Sequence, residues 1–342
     1  MTRPLESRVT FVVPEGIDDP ARASGGNVFD QRVRDELASL GWEVRMLPVA
    51  PDAGGALSSL PRGALVLVDG LVAGRSPAAI EAGADRLRIV VLAHMVSSAF
   101  PDADRHLVDG ERRALRSARR VIATSEWTRA ELTASDELPA DRITVAVPGS
   151  DDAPVASGTP DGGAFLCVGV VAPHKGQDIL IEALAALGRD STWTCAIVGG
   201  LDAFPEYTAR VRALAADADV AERIMLTGAL GSGELDSAYR NADLVVAPSR
   251  VESYGMAIAD ALRRGIPVVA SNVGGIPQTV AGRAAILVPP GEPAPLTDAL
   301  GRWITDTGLR ERLTADARRG RADLPRWSDT AARIAETLAA VR

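Results

Sequence analysis

The sequence predicts an α/β protein built from two doubly wound domains in tandem, and three observations carry that reading. At 342 residues the chain is too long for one ordinary domain of about 150 residues. Short apolar runs alternate with longer amphipathic stretches, as parallel strands joined by crossover helices do. The alternation stops once near the middle, at PGSDDAPVASGTPDGG (residues 148–163), a stretch rich in turn-forming residues and without periodicity.

In the first half, strands are predicted at Val9–Pro14, Glu43–Leu47, Ala64–Asp69, Ile89–His94, Arg120–Thr124 and Ile143–Val147, with helices such as Val28–Leu40 and Arg105–Ala118 between them. After the break, strands follow near Phe165–Val170, Trp193–Val198, Ile224–Thr227, Leu244–Ala247, Pro267–Ala270 and Ala285–Val288. The segment Trp327–Arg342 comes after Pro325 and reads as an isolated amphipathic helix. The expected division is a first domain at 1–150, a linker at 151–163, a second domain at 164–325 and a terminal helix at 326–342. Open parallel sheets bind ligands outside the carboxyl ends of their strands. The loops after strands therefore carry the most weight, and a cleft between two such domains is the expected site.

Composition narrows the function. A formal net charge of -8 and a pI near 5.1 argue against whole-protein affinity for nucleic acid or anionic lipid. Cys167 and Cys195 lie in apolar, strand-like runs, where a free thiol behaves as a small hydrophobe, so a reducing, cytoplasmic setting is expected. No run approaches 18 uncharged apolar residues, and a soluble protein is expected. ERRALRSARR places Arg112, Arg116, Arg119 and Arg120 on one helical face. A solvated face is favoured there over a membrane or anionic-acceptor patch, given the acidic whole.

Several loops could carry chemistry. Ser24, Gly25 and Gly26 follow the first strand and precede a helix expected near Asn27. Adjacent glycines at a helix start suit an anion, and the same stretch reads equally as a mobile loop capped by Asn27. No GxGxxG follows any strand, which counts against a dehydrogenase. His94 ends the run IVVLAHMV, where a histidine can face a ligand as donor or proton carrier, or simply be a hydrogen-bonded core residue. The three histidines lack metal-ligand spacing and no CxxC occurs, so no metal is expected. The pairs Asp102/Asp104 and Asp217/Asp219 are better explained by helix ends than by a cation.

The densest stretch is VVAPSRVESYGMAIAD, from Val245 to Asp260. A strand ends, a short loop carries Arg250 and Glu252, and Gly255 opens a helix. Glu252 beside free amides is suited to sugar hydroxyls and phosphate oxygens, and Asp260 lies about two turns further on; capping by Glu252 and pairing of Asp260 with Arg263 or Arg264 would explain the same residues. Lys175, in VAPHKGQ, is the chain's single lysine. A compact ammonium with rotatable donors meets phosphate differently from a planar guanidinium.

Taken in order, SGG, His94, VGVVAPHKGQDILIEAL, IVGG, LTGAL, NADLVVAPSRVESYGMAIADAL and GIPVVASNVGGIPQTV resemble the family 4 retaining glycosyltransferases of the GT-B fold. The resemblance covers nearly the whole chain and is strongest from Phe165 to Pro289. It implies two Rossmann-like domains facing a central cleft, with the terminal helix crossing back to the first. It also implies site roles: Lys175 on the donor diphosphate, Glu252 on the transferred sugar and Asp260 on the ribose. Ser253 and the backbone of Tyr254, Gly255 and Met256 would support sugar and phosphates. Gly228, Ala229 and Leu230 would lie near the base, Gly25 and Gly26 near the diphosphate, and His94 at the reaction centre.

The implied activity is metal-independent, retaining transfer from a nucleoside-diphosphate sugar, with UDP the expected nucleotide, to a small-molecule or glycan acceptor. No cofactor is expected. Three departures stand out: Val170 where the family usually has arginine, Asp260 in place of glutamate, and Gln278 where glutamate is common. Arg250 is the expected stand-in for the missing arginine. The competing readings are a non-catalytic relative of the family and a peripheral-membrane enzyme with a lipid acceptor. A phosphorylase is discounted because its cofactor would need the one lysine already placed in the phosphate loop.

Overall fold

β1 (Arg8–Pro14), β2 (Glu43–Val49), β3 (Leu65–Asp69), β4 (Arg88–Ala93), β5 (Arg120–Ala123) and β6 (Ile143–Val145) form one sheet, in the order β2-β1-β3-β4-β5-β6. A second sheet holds β7 (Ala164–Val168), β8 (Thr194–Val198), β9 (Ile224–Gly228), β10 (Leu244–Ala247), β11 (Val268–Ser271) and β12 (Ala285–Val288), in the order β12-β11-β10-β7-β8-β9. The structure is a computed structural model that describes residues 7–19, 24–50, 53–134, 138–188 and 191–341. Every pairing in both sheets is parallel. Strands covered on both faces become continuous apolar runs, which is why LVLVD of β3 is buried along its whole length.

Each sheet reverses its winding once. In the first, the chain moves from β1 outward to β2 and then returns to β3 on the other side of β1; in the second, β7 lies between β8 and β10. Helices leave on opposite faces at such a point, opening a crevice at the carboxyl ends. The loops after β1 and β3 flank one reversal, and the loops after β7 and β10 flank the other.

In the first sheet Val12, Val66, Val68 and Val91 pack with Leu57, Ile80 and Ala114. In the second, Phe165, Cys167 and Val246 pack on Leu180, Leu184 and Trp303, and Leu166, Val245 and Val268 pack on Tyr239, Ile258 and Leu262 across the sheet. Both thiols are free and buried, and burial pushes Cys167 up to about 12. The register pairs Cys195 with Phe165 and Cys167 with Ile197, so the two are not cross-strand partners.

The chain divides into two compact units. The first takes residues up to 19, 26–149 and 325 onward, and the second takes 150–324 with the short stretch ending at Gly25. The terminal helix Trp327–Ala340 thus belongs to the first unit. Trp327 meets Phe29 edge-on at 5.5 Å, and the Thr330 hydroxyl donates to the Val147 carbonyl at 2.7 Å. Gly149 lets the chain pass here, because a Cβ on it would lie 2.1 Å from the Trp327 nitrogen. Backbone cannot yield as a side chain can, so Gly149→Ala is expected to destabilise the first unit by about 1–3 kcal/mol, read as a lower denaturant midpoint at unchanged slope.

The stretch expected to be a linker is tied to the second unit. Ala156 N–H donates to the Arg264 carbonyl at 2.9 Å, Ser157 N–H to the Arg240 carbonyl at 2.9 Å, and Thr159 N–H to Asp243 Oδ1 at 2.7 Å. Extended chain paired through its amides needs no side-chain periodicity, which is why the sequence pattern did not show it. Among the described residues no helix is long and apolar enough to cross a membrane.

Candidate active site

Lys175 and Glu252 come from the two loops at the second sheet's reversal, after β7 and after β10. Lys175 Nζ stands 2.6 Å from Glu252 Oε2, both half-buried. A charge-assisted bond of this length places an ammonium and a carboxylate side by side at the sheet's carboxyl edge. One side chain can then meet anionic oxygens while the other accepts from hydroxyls.

The two loops are joined by their backbones. Arg250 N–H donates to the His174 carbonyl at 2.7 Å and Val251 N–H to the same oxygen at 3.3 Å. Gly176 (φ +70°) passes so close to Pro248 that a Cβ would lie 2.1 Å from its carbonyl oxygen. On the other side, Gly275 N–H donates to the Glu252 carbonyl at 2.9 Å. A Cβ on Gly274 would lie 1.9 Å from that oxygen, and one on Gly275 would lie 2.0 Å from the Ser253 carbonyl oxygen. The paired glycines of SNVGGIPQ thus let a neighbouring loop support Glu252 by direct backbone approach.

Arg250 differs from the sequence expectation. Its guanidinium grips Asp178 with both ends, at 2.8 and 2.9 Å, and donates to the Pro173 carbonyl at 2.8 Å. Asp178 is buried and also accepts from the Tyr207 hydroxyl at 2.7 Å. Burial pushes the Asp178 carboxyl up, but Arg250 and Tyr207 outweigh it and hold it below its ordinary value. A buried carboxylate already claims the guanidinium, so Arg250 braces the two loops and is not a free cation beside Val170 in this structure. His174 does not supply that charge either, since burial and the neighbouring Lys175 push its imidazole down to about 4. Lys175, itself paired with Glu252, is the one permanent cation of the loop after β7.

Removing the brace leaves Asp178 without its main partner. Arg250→Ala is expected to cost on the order of 2 kcal/mol, less than the 3–5 typical of a fully buried pair because the guanidinium is partly open to water. Thermal unfolding would check this, and an unchanged midpoint would contradict the assignment.

The rest of the β10 loop leads into the helix Met256–Arg263, with Gly255 (φ +96°) at its N-cap. The Ser253 hydroxyl is buried with no hydrogen-bond partner among the described residues, while Tyr254 is buried and its carbonyl accepts from the Thr279 hydroxyl at 2.5 Å. Met256 starts the helix, and Asp260 lies just over one turn in, half-buried. Arg264 reaches Asp236 and the Asp260 carbonyl. Arg263, buried, binds Ser150 Oγ at 2.9 Å and the Leu324 carbonyl at 2.8 Å. Gly228, Ala229 and Leu230 line a cavity of about 310 Å³ with Gly200, Leu201, Asp202 and Gly231.

Gly25 and Gly26 are the first two residues of the helix Gly25–Ser39, which begins earlier than expected. His94 follows β4, and its Nε2 stands 2.8 Å from Asp30 Oδ1 and 3.2 Å from Asp69 Oδ2. Asp69 ends β3 and caps the next helix, its Oδ1 accepting from the Leu71 and Val72 amides at 2.8 and 3.1 Å. The ring nitrogen itself occupies the space between the two carboxylates, so the trio is an ion-paired histidine. Burial alone would lower the His94 pKa, but the two acids outweigh it and lift it to about 10.

Residues 154–320 match the family described as glycosyl transferases group 1. That segment is a glycosyl transferases group 1 domain. The glycosyl transferases group 1 domain contains Lys175, Arg250, Glu252 and Asp260. Over 241 residues the chain is 34% identical to a D-inositol 3-phosphate glycosyltransferase of Frankia alni, covering 65% of this chain and 59% of that one. It is 32% identical over 194 residues to a GDP-mannose-dependent alpha-(1-6)-phosphatidylinositol monomannoside mannosyltransferase of Mycolicibacterium smegmatis, covering 54% and 50%. The chain thus spans between half and three fifths of the length of these relatives.

Among solved structures, sucrose-phosphate synthase of Thermosynechococcus elongatus superposes with a TM-score of 0.82 at 21% identity, over 96% of this chain and 98% of that one. Anabaena Alr3699/HepE in complex with UDP and glucose superposes at 0.76 and 18% identity, over 98% and 100%. These likenesses establish the fold, which is the GT-B fold the sequence motifs implied.

Sequence reasoning missed Asp30, Asp69, Asp178 and Tyr207. Asp178 had a signal: it follows the lysine loop in KGQDILIEAL, an acid inside a helix that is otherwise apolar on most sides. The two Asp-x-Asp pairs are local, as expected. Asp104 caps the helix Arg105–Ser117 through the His106 amide at 2.9 Å, and Asp217 ends the helix Pro205–Asp217 with Asp219 in the left-handed turn beyond it (φ 56°).

Proposed function

We propose that this chain transfers a sugar from a nucleoside-diphosphate sugar to a hydroxyl of a small-molecule or glycan acceptor, with retention at the anomeric carbon and without a metal. The observation that carries the reading is the 2.6 Å pairing of Lys175 with Glu252 at the reversal of the second sheet. There an ammonium meets the departing diphosphate, whose charge grows in the transition state, and a carboxylate holds the hydroxyls of the sugar. The amides at the start of Met256–Arg263 and the Ser253 hydroxyl, without a partner among the described residues, add donors for phosphate oxygens. Asp260 is assigned to the ribose, the cavity at 228–230 to the base, Gly25 and Gly26 to the diphosphate, and His94 to the reacting sugar.

UDP is the proposed nucleotide, and the GDP-mannose dependence named for one relative makes GDP the first alternative to try. The relatives' names favour an inositol-type acceptor. A soluble one is proposed, because the arginines expected on one helical face do not share it: the helix ends at Ser117, leaving Arg119 beyond it and Arg120 in β5, and two of the four are engaged locally. Arg112 lies 3.9 Å from Asp109, and Arg120 donates to the Asp141 carbonyl.

Incubation with UDP-, GDP- and dTDP-sugars, with and without inositol phosphates, tests the reading. Slow donor hydrolysis alone and faster turnover with acceptor are expected. No response to any nucleotide would favour a non-catalytic relative of the family.

A further inference from the structure

The trio Asp30, Asp69 and His94 brings two buried carboxylates to one ring nitrogen. One orienting carboxylate fixes a histidine's tautomer and leaves its other nitrogen able to take a proton, as in acyl-transfer triads. A second carboxylate changes the balance, because each nearby negative charge favours the protonated ring. The acids come from different elements, Asp30 from the helix Gly25–Ser39 and Asp69 from the end of β3. Just after β5 the contribution is neutral: the Thr124 hydroxyl donates to the His94 carbonyl at 3.2 Å. Phe29 meets the ring edge-on at 5.1 Å, and among the described residues the charged groups that act on the ring are the two acids.

We propose that Asp30 and Asp69 are positioning residues that hold His94 as an imidazolium, so that its Nδ1 donates a hydrogen bond to a substrate oxygen and does not accept a proton from the acceptor. This rests on the assignment of His94 to the reaction, and on one further observation. Asp30 is fully buried and its second oxygen, Oδ2, has no hydrogen-bond partner among the described residues. Its charge is therefore compensated mainly by the ring, and taking the proton from His94 would strand a buried carboxylate. The same burial lifts Asp30 to about 7, with the shared proton residing on the imidazole.

Nitrogen-15 spectra of the full chain labelled at its three histidines test this, with His106 and His174 replaced in turn for assignment. In the native chain His94 is expected to stay protonated past about pH 8, against an ordinary value near 6.5. Asp30→Asn is expected to lower its titration by about 1–3 pH units, with Asp69→Asn acting in the same direction. Where turnover is measurable, Asp30→Asn should add a fall in kcat on the alkaline side. Native titration near the ordinary value, or titration unmoved in both variants, overturns the proposal. A native titration that changes on treatment with a chelator also overturns it, by showing that the trio binds a metal. The spectra read the ring without substrate, and nucleotide binding at Lys175 is measured separately, so failure here is distinct from failure of the transferase reading.

Discussion

Lys175→Ala is expected to lower kcat about 10²–10³-fold, the usual cost of removing one donor that meets charge developing in a transition state. The loop GVVAPHKG contains no other permanent cation. Arg250 is held by Asp178, and burial keeps the His174 imidazole neutral at physiological pH. Nothing in this loop replaces the ammonium. Stability should change by no more than about 1 kcal/mol, because the pair with Glu252 is partly open to water. Steady-state kinetics with an unfolding curve for the same variant checks both halves, and native-like turnover would remove Lys175 from the reaction.

Glu252→Gln is expected to lower kcat/KM roughly 10- to 100-fold, corresponding to about 1.5–3 kcal/mol for a hydrogen bond that has lost its charge. The amide keeps the shape of the side chain and the backbone support from Gly274 and Gly275, so the effect isolates charge from packing. The pattern across donors carries further information. A donor lacking the sugar hydroxyls that Glu252 holds should be nearly insensitive to the substitution, whereas the full donor should not.

Much of the fold was legible because burial on both faces of a parallel sheet writes itself into sequence as apolar runs. The expected strand Leu244–Ala247 and its structural counterpart coincide, and others differ by a residue or two at their ends, where ladder bonds and not side-chain pattern decide termination. That Lys175 and Glu252 both lie at carboxyl ends of strands was legible, since both residues follow apolar runs; their pairing was not. Their shared place at the reversal depends on strand order, which no local pattern encodes.

What stayed hidden was partner choice. Arg250 stands two residues before Glu252 and reads as a free cation, until a buried Asp178, 72 positions away, is seen to claim it. His94 reads as a titratable group near neutrality, until Asp30, 64 positions away, supplies its counter-charge. Long-range electrostatics follow from the folded geometry, and residue identity alone does not fix them.

The central claim is that the loops after β7 and β10 form a seat for a nucleoside diphosphate. Calorimetric titration of UDP and GDP into the native chain and into Lys175→Ala tests it most directly. The account predicts binding of at least one of them to the native chain, with a weakening on loss of Lys175 much larger than for the corresponding monophosphate. Equal affinity in both proteins, or no binding of either nucleotide to the native chain, would contradict it.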